Sequence, residues 1–256
     1  MSFFRQFPKT AYDFEDNGID TKIVDLFRFV KINDAYLDDL SLYTYYQVSN
    51  GERPDVVSNK LYGSPEYYWT FFIANEQLKT GLSGWPMSSG EFDSYLEDEY
   101  SGTVIETWPY RNYQGASVGT YTIGEQVHGS LSGASGYVVS KDAQMSQVLL
   151  RDVDGTFQSD GNETLYGEAS QSNVGIARVY LHRDAPHHFE DSDGNIVYNQ
   201  RFINESPTSE DPTQSLSTIT NYEYEMQLND ERGNIRIVRP EAVYAFAKKF
   251  RELINA

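Results

Sequence analysis

Between residues 43 and 75 the spacing of apolar positions changes twice, and each change marks an element. Tyr43–Val48 is a short β-branched and aromatic run closed by Asn50-Gly51, which reads as a strand and a turn. Pro54 then fits the first position of a helix, where its missing N–H costs nothing, and Asp55 suits the positive pole of the helix dipole. Val57 and Leu61 share a face four residues apart, and Gly63 stands where a left-handed C-cap is wanted. Ser64-Pro65-Glu66 restarts a helix at once, with a hydroxyl N-cap, a proline and an acid in the first turn. That second helix carries Tyr67, Tyr68, Trp69, Phe71, Phe72, Ile73 and Ala74, apolar nearly all round, so burial on more than one side is expected.

On the N-terminal side, residues 1–40 read as an arm ending in a helix. Phe3, Phe4, Phe7, Tyr12 and Phe14 are scattered among charges without a period, as in an extended segment laid on another surface. Ile23, Leu26, Phe27 and Val30 recur at helical spacing, which predicts an amphipathic helix over Asp20–Lys31 with Asp20 as N-cap. On the C-terminal side, Gly81, Gly84 and Pro86 break the pattern into a loop. Trp85 within that loop is costly to leave in water and is expected to plug a groove nearby. Ser88 and Glu91 form a capping-box pair for a short helix to about Tyr100, with Phe92 and Leu96 four apart.

A different texture follows. Ten of the nineteen glycines fall between Arg111 and Leu181, separated by β-prone runs at Thr120–Ile123, Gln126–His128, Gly136–Val139, Gln147–Leu150 and Ile176–Tyr180. Strands this short with turns this close predict a small all-β barrel or sandwich. Beyond it, His188–Glu190 and Asn195–Asn199 flank an Asp193-Gly194 turn and read as a hairpin. Ser206–Ser217, with two prolines, reads as a loop. Ile219–Leu228 and Asn234–Val238 read as a second strand pair around Asp230–Gly233. Pro240-Glu241 then opens a helix with Val243, Phe246, Ala247, Phe250 and Leu253 on one stripe. The fold class is therefore α+β. The expected divisions are 1–40 for the arm and helix, 41–110 for the strand–helix–helix core and the helix after it, 111–181 for the glycine-rich β-insert, and 182–256 for the C-terminal hairpins and helix.

Composition narrows the function classes. Asp and Glu number 38 against 20 Lys and Arg, a formal net charge of −18, which gives phosphate backbones and anionic membranes no basic face to meet. There is no cysteine, hence no disulfide, thiolate metal site or cysteine nucleophile. The N-terminal segment lacks the apolar core of a secretory signal, and no apolar run approaches membrane-spanning length. Twenty Tyr and fourteen Phe exceed what one core needs, and tyrosine is the residue interfaces favour. Catalytic groupings do not assemble. His187-His188 with Asp184 and Glu190 has the wrong spacing for a metal, since neighbours on a strand point to opposite faces. Asp191-x-Asp193-Gly194 and Asp152-x-Asp154-Gly155 lack the rest of a calcium loop. Gly133-Ala134-Ser135-Gly136 is not a nucleophile elbow, and no phosphate-cradling loop is present. No enzyme and no cofactor are expected.

Tyr46-x-Val48-x-x-Gly51-Glu52, Val57-Ser58-x-Lys60-Leu61-Tyr62-Gly63, Trp69 and Ala74-Asn75 resemble a LysM module. With Arg53-Pro54, Ser64-Pro65, Tyr68-Trp69 and Gly84-Trp85, the chain more closely resembles one family, the LysM-like baseplate wedge subunit of T4-type contractile-tailed phages. Asn234–Pro240 before a helix is the next best segment. The resemblance covers roughly 1–110 and 185–256 and implies a LysM-like strand–helix–helix–strand core, completed by a C-terminal hairpin and helix and interrupted by the β-insert. It also implies a structural subunit of the virion, in the inner baseplate of the tail, assembled in the host cytoplasm and joining neighbouring wedges. The implied partners are adjacent wedges, the core-bundle heterotrimer and the sheath-initiating wedge subunit, with six copies per baseplate and neither nucleic acid nor membrane. Phe3, Phe4, Phe7, Tyr12, Arg53 and Trp85 are the candidate partner contacts. The alternative is a LysM-type peptidoglycan-binding protein, whose glycan would lie along Gly51–Pro54 and the residues after Asn75.

Overall fold

The computed structural model describes residues 7–25, 41–107, 119–159, 162–197 and 216–255. It is α+β and divides into two compact units, Met1–Gly90 with Leu228–Ala256, and Glu91–Gln227. No helix among the described residues is long and apolar enough to cross a membrane.

The first unit is built on a two-stranded antiparallel sheet of β3 (Tyr43–Gln47) and β13 (Asn234–Val238), with Arg236 opposite Tyr45. Between them in sequence come helices α1 (Pro54–Tyr62) and α2 (Trp69–Ala74), the strand–helix–helix–strand order expected. Pro54 opens α1, and Gly63 closes it at φ 68°, a conformation costly for any residue with a Cβ. Ser64 caps the next turn by accepting from the Glu66 N–H. Buried Ser58 clips the break from the other side, donating to Ser64 O at 2.7 Å and accepting from the Tyr67 N–H. Val57, Phe71, Leu78, Trp85, Ile235 and Ile237 form the core. Trp69 packs with Ala247, Phe250 and Ile254 of α5 (Val243–Asn255), the last helix of the chain. Its buried stripe ends at Ile254 rather than Leu253, which is half-exposed.

In the second unit a closed six-stranded barrel has the order β4-β7-β6-β5-β8-β9, from β4 (Thr103–Thr107), β5 (Gln126–Gly129), β6 (Ser135–Asp142), β7 (Gln147–Asp154), β8 (Thr164–Gly167) and β9 (Asn173–Leu181). Its pairing repeats itself. Shifting β5–β6 by 38 positions turns the pairs Gln126↔Tyr137, Val127↔Gly136 and His128↔Ser135 into Thr164↔Gly175, Leu165↔Val174 and Tyr166↔Asn173 of β8–β9. The β5–β8 pairing maps onto itself about His128↔Tyr166, and β4–β7 does so about Ile105↔Val148. The barrel is thus two three-stranded sheets, β5-β6-β7 and β8-β9-β4, related by a pseudo-twofold axis. Strand β4, which completes the second sheet, precedes the first in sequence.

Side chains obey the same operation. Glu125 accepts from the N–H groups of Ala169 and Ser170, and Glu163 from those of Leu131 and Ser132. Each carboxylate therefore caps the loop of the opposite repeat. Gly129 and Gly167 occupy equivalent places; a Cβ would collide with the Glu163 carboxylate at the first and with Ser170 Oγ and the Tyr121 ring at the second, where Glu125 also lies close. Burial alone would raise both carboxyls, but the converging donors hold them below the usual carboxylate range.

Several elements differ from the sequence expectation. Thr21–Val24 is strand β2, not the start of a helix from Asp20; it pairs antiparallel with β1 (Lys9–Tyr12), where an extended arm was expected. Residues 26–31 of that helix lie outside the described residues. The cause is the turn, since Asp13 and Asn17 side chains bond the backbone N–H groups of Glu15, Gly18 and Ile19 and close a hairpin. Ile219–Leu228 is not one strand of a pair with Asn234–Val238. Strand β12 (Ser217–Thr220) joins β10 (Pro186–Glu190) and β11 (Ile196–Val197), and Asn221–Gly233 is helix α4. Alternating Tyr222, Tyr224, Met226 and Leu228 imitate a strand, but Thr220 and Glu223 make a reciprocal capping box that starts the helix. Thr120–Ile123 is not a strand either; Tyr121 inserts into the barrel core and donates to Leu165 O. Most of the Ser206–Ser217 loop lies outside the described residues.

Candidate partner-binding surface

The β1–β2 hairpin offers apolar surface that the described residues leave exposed. All four β1 residues are exposed, and the loop presents Tyr12, Phe14 and Ile19 at 55%, 65% and 70% exposure. The Tyr12 and Phe14 rings meet edge to face at 4.9 Å and form one aromatic knob. Asp13 sets the loop shape, accepting from Gly18 N–H at 2.6 Å and Glu15 N–H at 3.1 Å, while Asn17 accepts from Ile19 N–H. These donors, Gly18 foremost, hold the Asp13 carboxyl below its ordinary range. An apolar tip on a loop already fixed by side-chain bonds loses little entropy on docking.

The six candidate contact residues are distributed unevenly. Phe3 and Phe4 lie outside the described residues. Phe7 is half-buried against the Trp69–Phe250 cluster, and Tyr12 sits on the hairpin knob. Arg53 is exposed and pairs with Asp55 at 3.2 Å. Trp85 is buried, its ring 6.0 Å from Phe71 and 5.9 Å from Phe72, and its indole N–H donates to Glu52 O. It fills a groove of its own chain, as expected, and steadies the loop that displays Arg53. Phe14 and Ile19 complete the knob, and the signal for them was Asp13 with Asn17-Gly18, a turn grouping between apolar residues.

Beside Arg53 stands a polar triangle. Lys60 Nζ lies 2.9 Å from Glu52 Oε1 and 2.8 Å from the Tyr46 hydroxyl, which donates to Glu52 Oε2 at 2.7 Å. Burial would raise the Glu52 carboxyl, but Lys60, the Ser49 N–H and Tyr46 overcome it and bring it down to about 2. This triangle lies along Gly51–Pro54, where a LysM glycan would sit, and its polar groups are already bonded to one another.

His187 and His188 face each other through their Nδ1 atoms at 2.8 Å, and His188 Nε2 turns to Glu190. Among the described residues no group of three or more His, Asp or Glu is placed to hold a metal. Asp191 and Gly194 form a hairpin turn, with Asp191 accepting from the Asp193 and Asn195 N–H groups.

Residues 1–93 match the family model described as base plate wedge protein 53. No curated protein matches the chain. The match takes in the hairpin, the polar triangle, both short helices and Trp85, and ends before the barrel. Residues 1–93 are thus similar to the base plate wedge protein 53 family.

Proposed function

We propose that the chain is a baseplate wedge protein that joins neighbouring wedges in the inner baseplate during tail assembly, and that the β1–β2 hairpin is the element that makes the joint. The observation carrying this is a hairpin exposed along β1, with three large apolar side chains on a preformed loop. Two strands alone are marginal in water, so a partner surface that buries Tyr12, Phe14 and Ile19 stabilises the hairpin as it binds. Adjacent wedges, the core bundle and the sheath-initiating subunit are the partners, with six copies around the plate and assembly in the host cytoplasm. The four divisions read from the sequence, 1–40, 41–110, 111–181 and 182–256, are retained as the working plan, residues 1–40 being the joining segment.

The test is co-purification of wedge complexes from coexpressed baseplate proteins. A Tyr12→Ala, Phe14→Ala, Ile19→Ser triple variant is expected to drop out of them while the isolated chain keeps its melting temperature. Full incorporation of the triple variant would overturn the hairpin as the joint. Capture of the natural chain by peptidoglycan would favour the glycan-binding reading instead.

A further inference from the structure

A cavity of about 390 Å³ opens on the outer face of the barrel, lined by Ser140, Asp142, Gln147, His182, His187 and Asn221 among others. It lies in residues 91–227, outside the stretch that matches the wedge family, and the wedge reading makes no use of it. Beside an apolar wall of Val104, Met145, Leu149 and Pro186, the cavity gathers several acceptors. The Gln147 NH₂ donates to Pro186 O and the Asn221 NH₂ to His182 O; a carbonyl can only accept, so each side-chain oxygen is left pointing elsewhere. Asp142 uses Oδ1 to cap the Gln144 and Met145 N–H groups, leaving Oδ2 with no donor among the described residues. His182 Nδ1 faces Ser101 O and must carry its proton there, which makes Nε2 the acceptor of the neutral ring. His187 and His188 meet through their Nδ1 atoms, and His188 Nε2 turns to Glu190. Burial lowers the pKa of both lining histidines, which keeps these rings neutral.

The pseudo-twofold axis shows what such a face can hold. The operation that carries Val138 to Ile176 carries Ser140 to Arg178 and Asp142 to Tyr180, and it carries Leu149 of β7 to Glu106 of β4. In that half the chain supplies its own guanidinium. Arg178 donates to the Tyr180 hydroxyl, which donates to Glu106 Oε2 at 3.1 Å. In the other half the equivalent of Arg178 is the short Ser140, and the cavity lies beside it.

We infer that the Ser140–Asp142–Gln147–Asn221 cavity is a docking site for an arginine side chain presented by a partner protein. The acceptors gathered here, the Asp142 carboxylate first among them, favour a ligand that donates in several directions. Guanidinium has five N–H donors in one plane and no acceptor, whereas a sugar hydroxyl offers a single donor and no charge. The carboxylate of Asp142 and the net charge of −18 favour the cation.

The probe is N-acetyl-arginine methylamide, titrated into the full chain while the ring proton signals of the four histidines are followed by NMR. The expected result is a saturable shift of His182 and His187 with His128 unmoved, and a weaker response to the lysine analogue. Asp142→Asn retains the oxygen that caps residues 144 and 145 and is expected to weaken the arginine response about tenfold. No response to the arginine probe, an equal response to the lysine analogue, or a comparable response to the neutral citrulline analogue or to N-acetylglucosamine would overturn the assignment. Each of these results is independent of whether the hairpin joins wedges.

Discussion

Asn75 does more for the first unit than its size suggests. Its Oδ1 accepts from the Arg236 N–H, and its NH₂ donates to Arg236 O and Phe71 O, all within 2.8 Å. One buried carboxamide therefore occupies the outer edge of β13 at its centre and ties it to the end of α2. Asn75→Ala would leave these buried main-chain groups unmet, and a loss of about 3 kcal/mol in urea unfolding is expected. Glu52 contributes in a way that depends on pH. Its carboxyl is lowered to about 2 in the folded chain, so the stabilisation is complete above the unfolded value near 4.5 and fades as pH falls through 2. Glu52→Gln is expected to cost about 2 kcal/mol at neutral pH, allowing for the exposure of Lys60, and almost nothing at pH 2. An equal deficit at both pH values, measured by chemical unfolding, would exclude the ion-paired carboxylate as the source.

Elements whose start and stop are written in local chemistry were legible from the sequence. Pro54 and Gly63 bracket α1, Ser64-Pro65 restarts the chain, and Asp193-Gly194 turns the β10–β11 hairpin, because each depends on residues within one turn of the backbone. The knob on the β1–β2 loop is half legible in the sequence: Tyr12 and Phe14 stand out as aromatics, whereas Ile19 gains its meaning only once Asp13 and Asn17 fold the loop. Helix α4 was missed because alternating aromatics outweighed a four-residue cap. The barrel was legible as a class but not in its closure, since β4 pairs with β7 and β9 across more than forty residues. Its duplication survives only as Glu-x-Val-x-Gly-x-x-Ser at 125–132 and Glu-x-Leu-x-Gly-x-x-Ser at 163–170, the positions that the crossed carboxylate caps require. Those caps make an unusual prediction for hydrogen exchange. Glu163→Ala should expose the amides of Leu131 and Ser132, and Glu125→Ala those of Ala169 and Ser170, each losing about 2 kcal/mol of protection in the opposite repeat. Loss confined to each mutant's own repeat would refute the crossed arrangement.

For the molecule as a whole, the −18 charge and the uncovered apolar knob act on different stages of association. Long-range charge steers encounter and is screened over roughly 10 Å at 0.1 M salt, so it governs the on-rate with a partner carrying basic surface. Desolvation of Tyr12, Phe14 and Ile19 occurs only on contact and is barely screened, so it governs how long the complex lasts. Both belong to one act of joining if the chain is a wedge fastener. Raising salt from about 0.05 to 0.5 M should then slow capture of the chain by immobilised wedge complexes by roughly tenfold while leaving dissociation nearly unchanged. Tyr12→Ala with Phe14→Ala should do the reverse. A knob variant that altered only the on-rate would mean that the hairpin guides the encounter instead of closing it, and the joint would have to be sought elsewhere on the acidic surface.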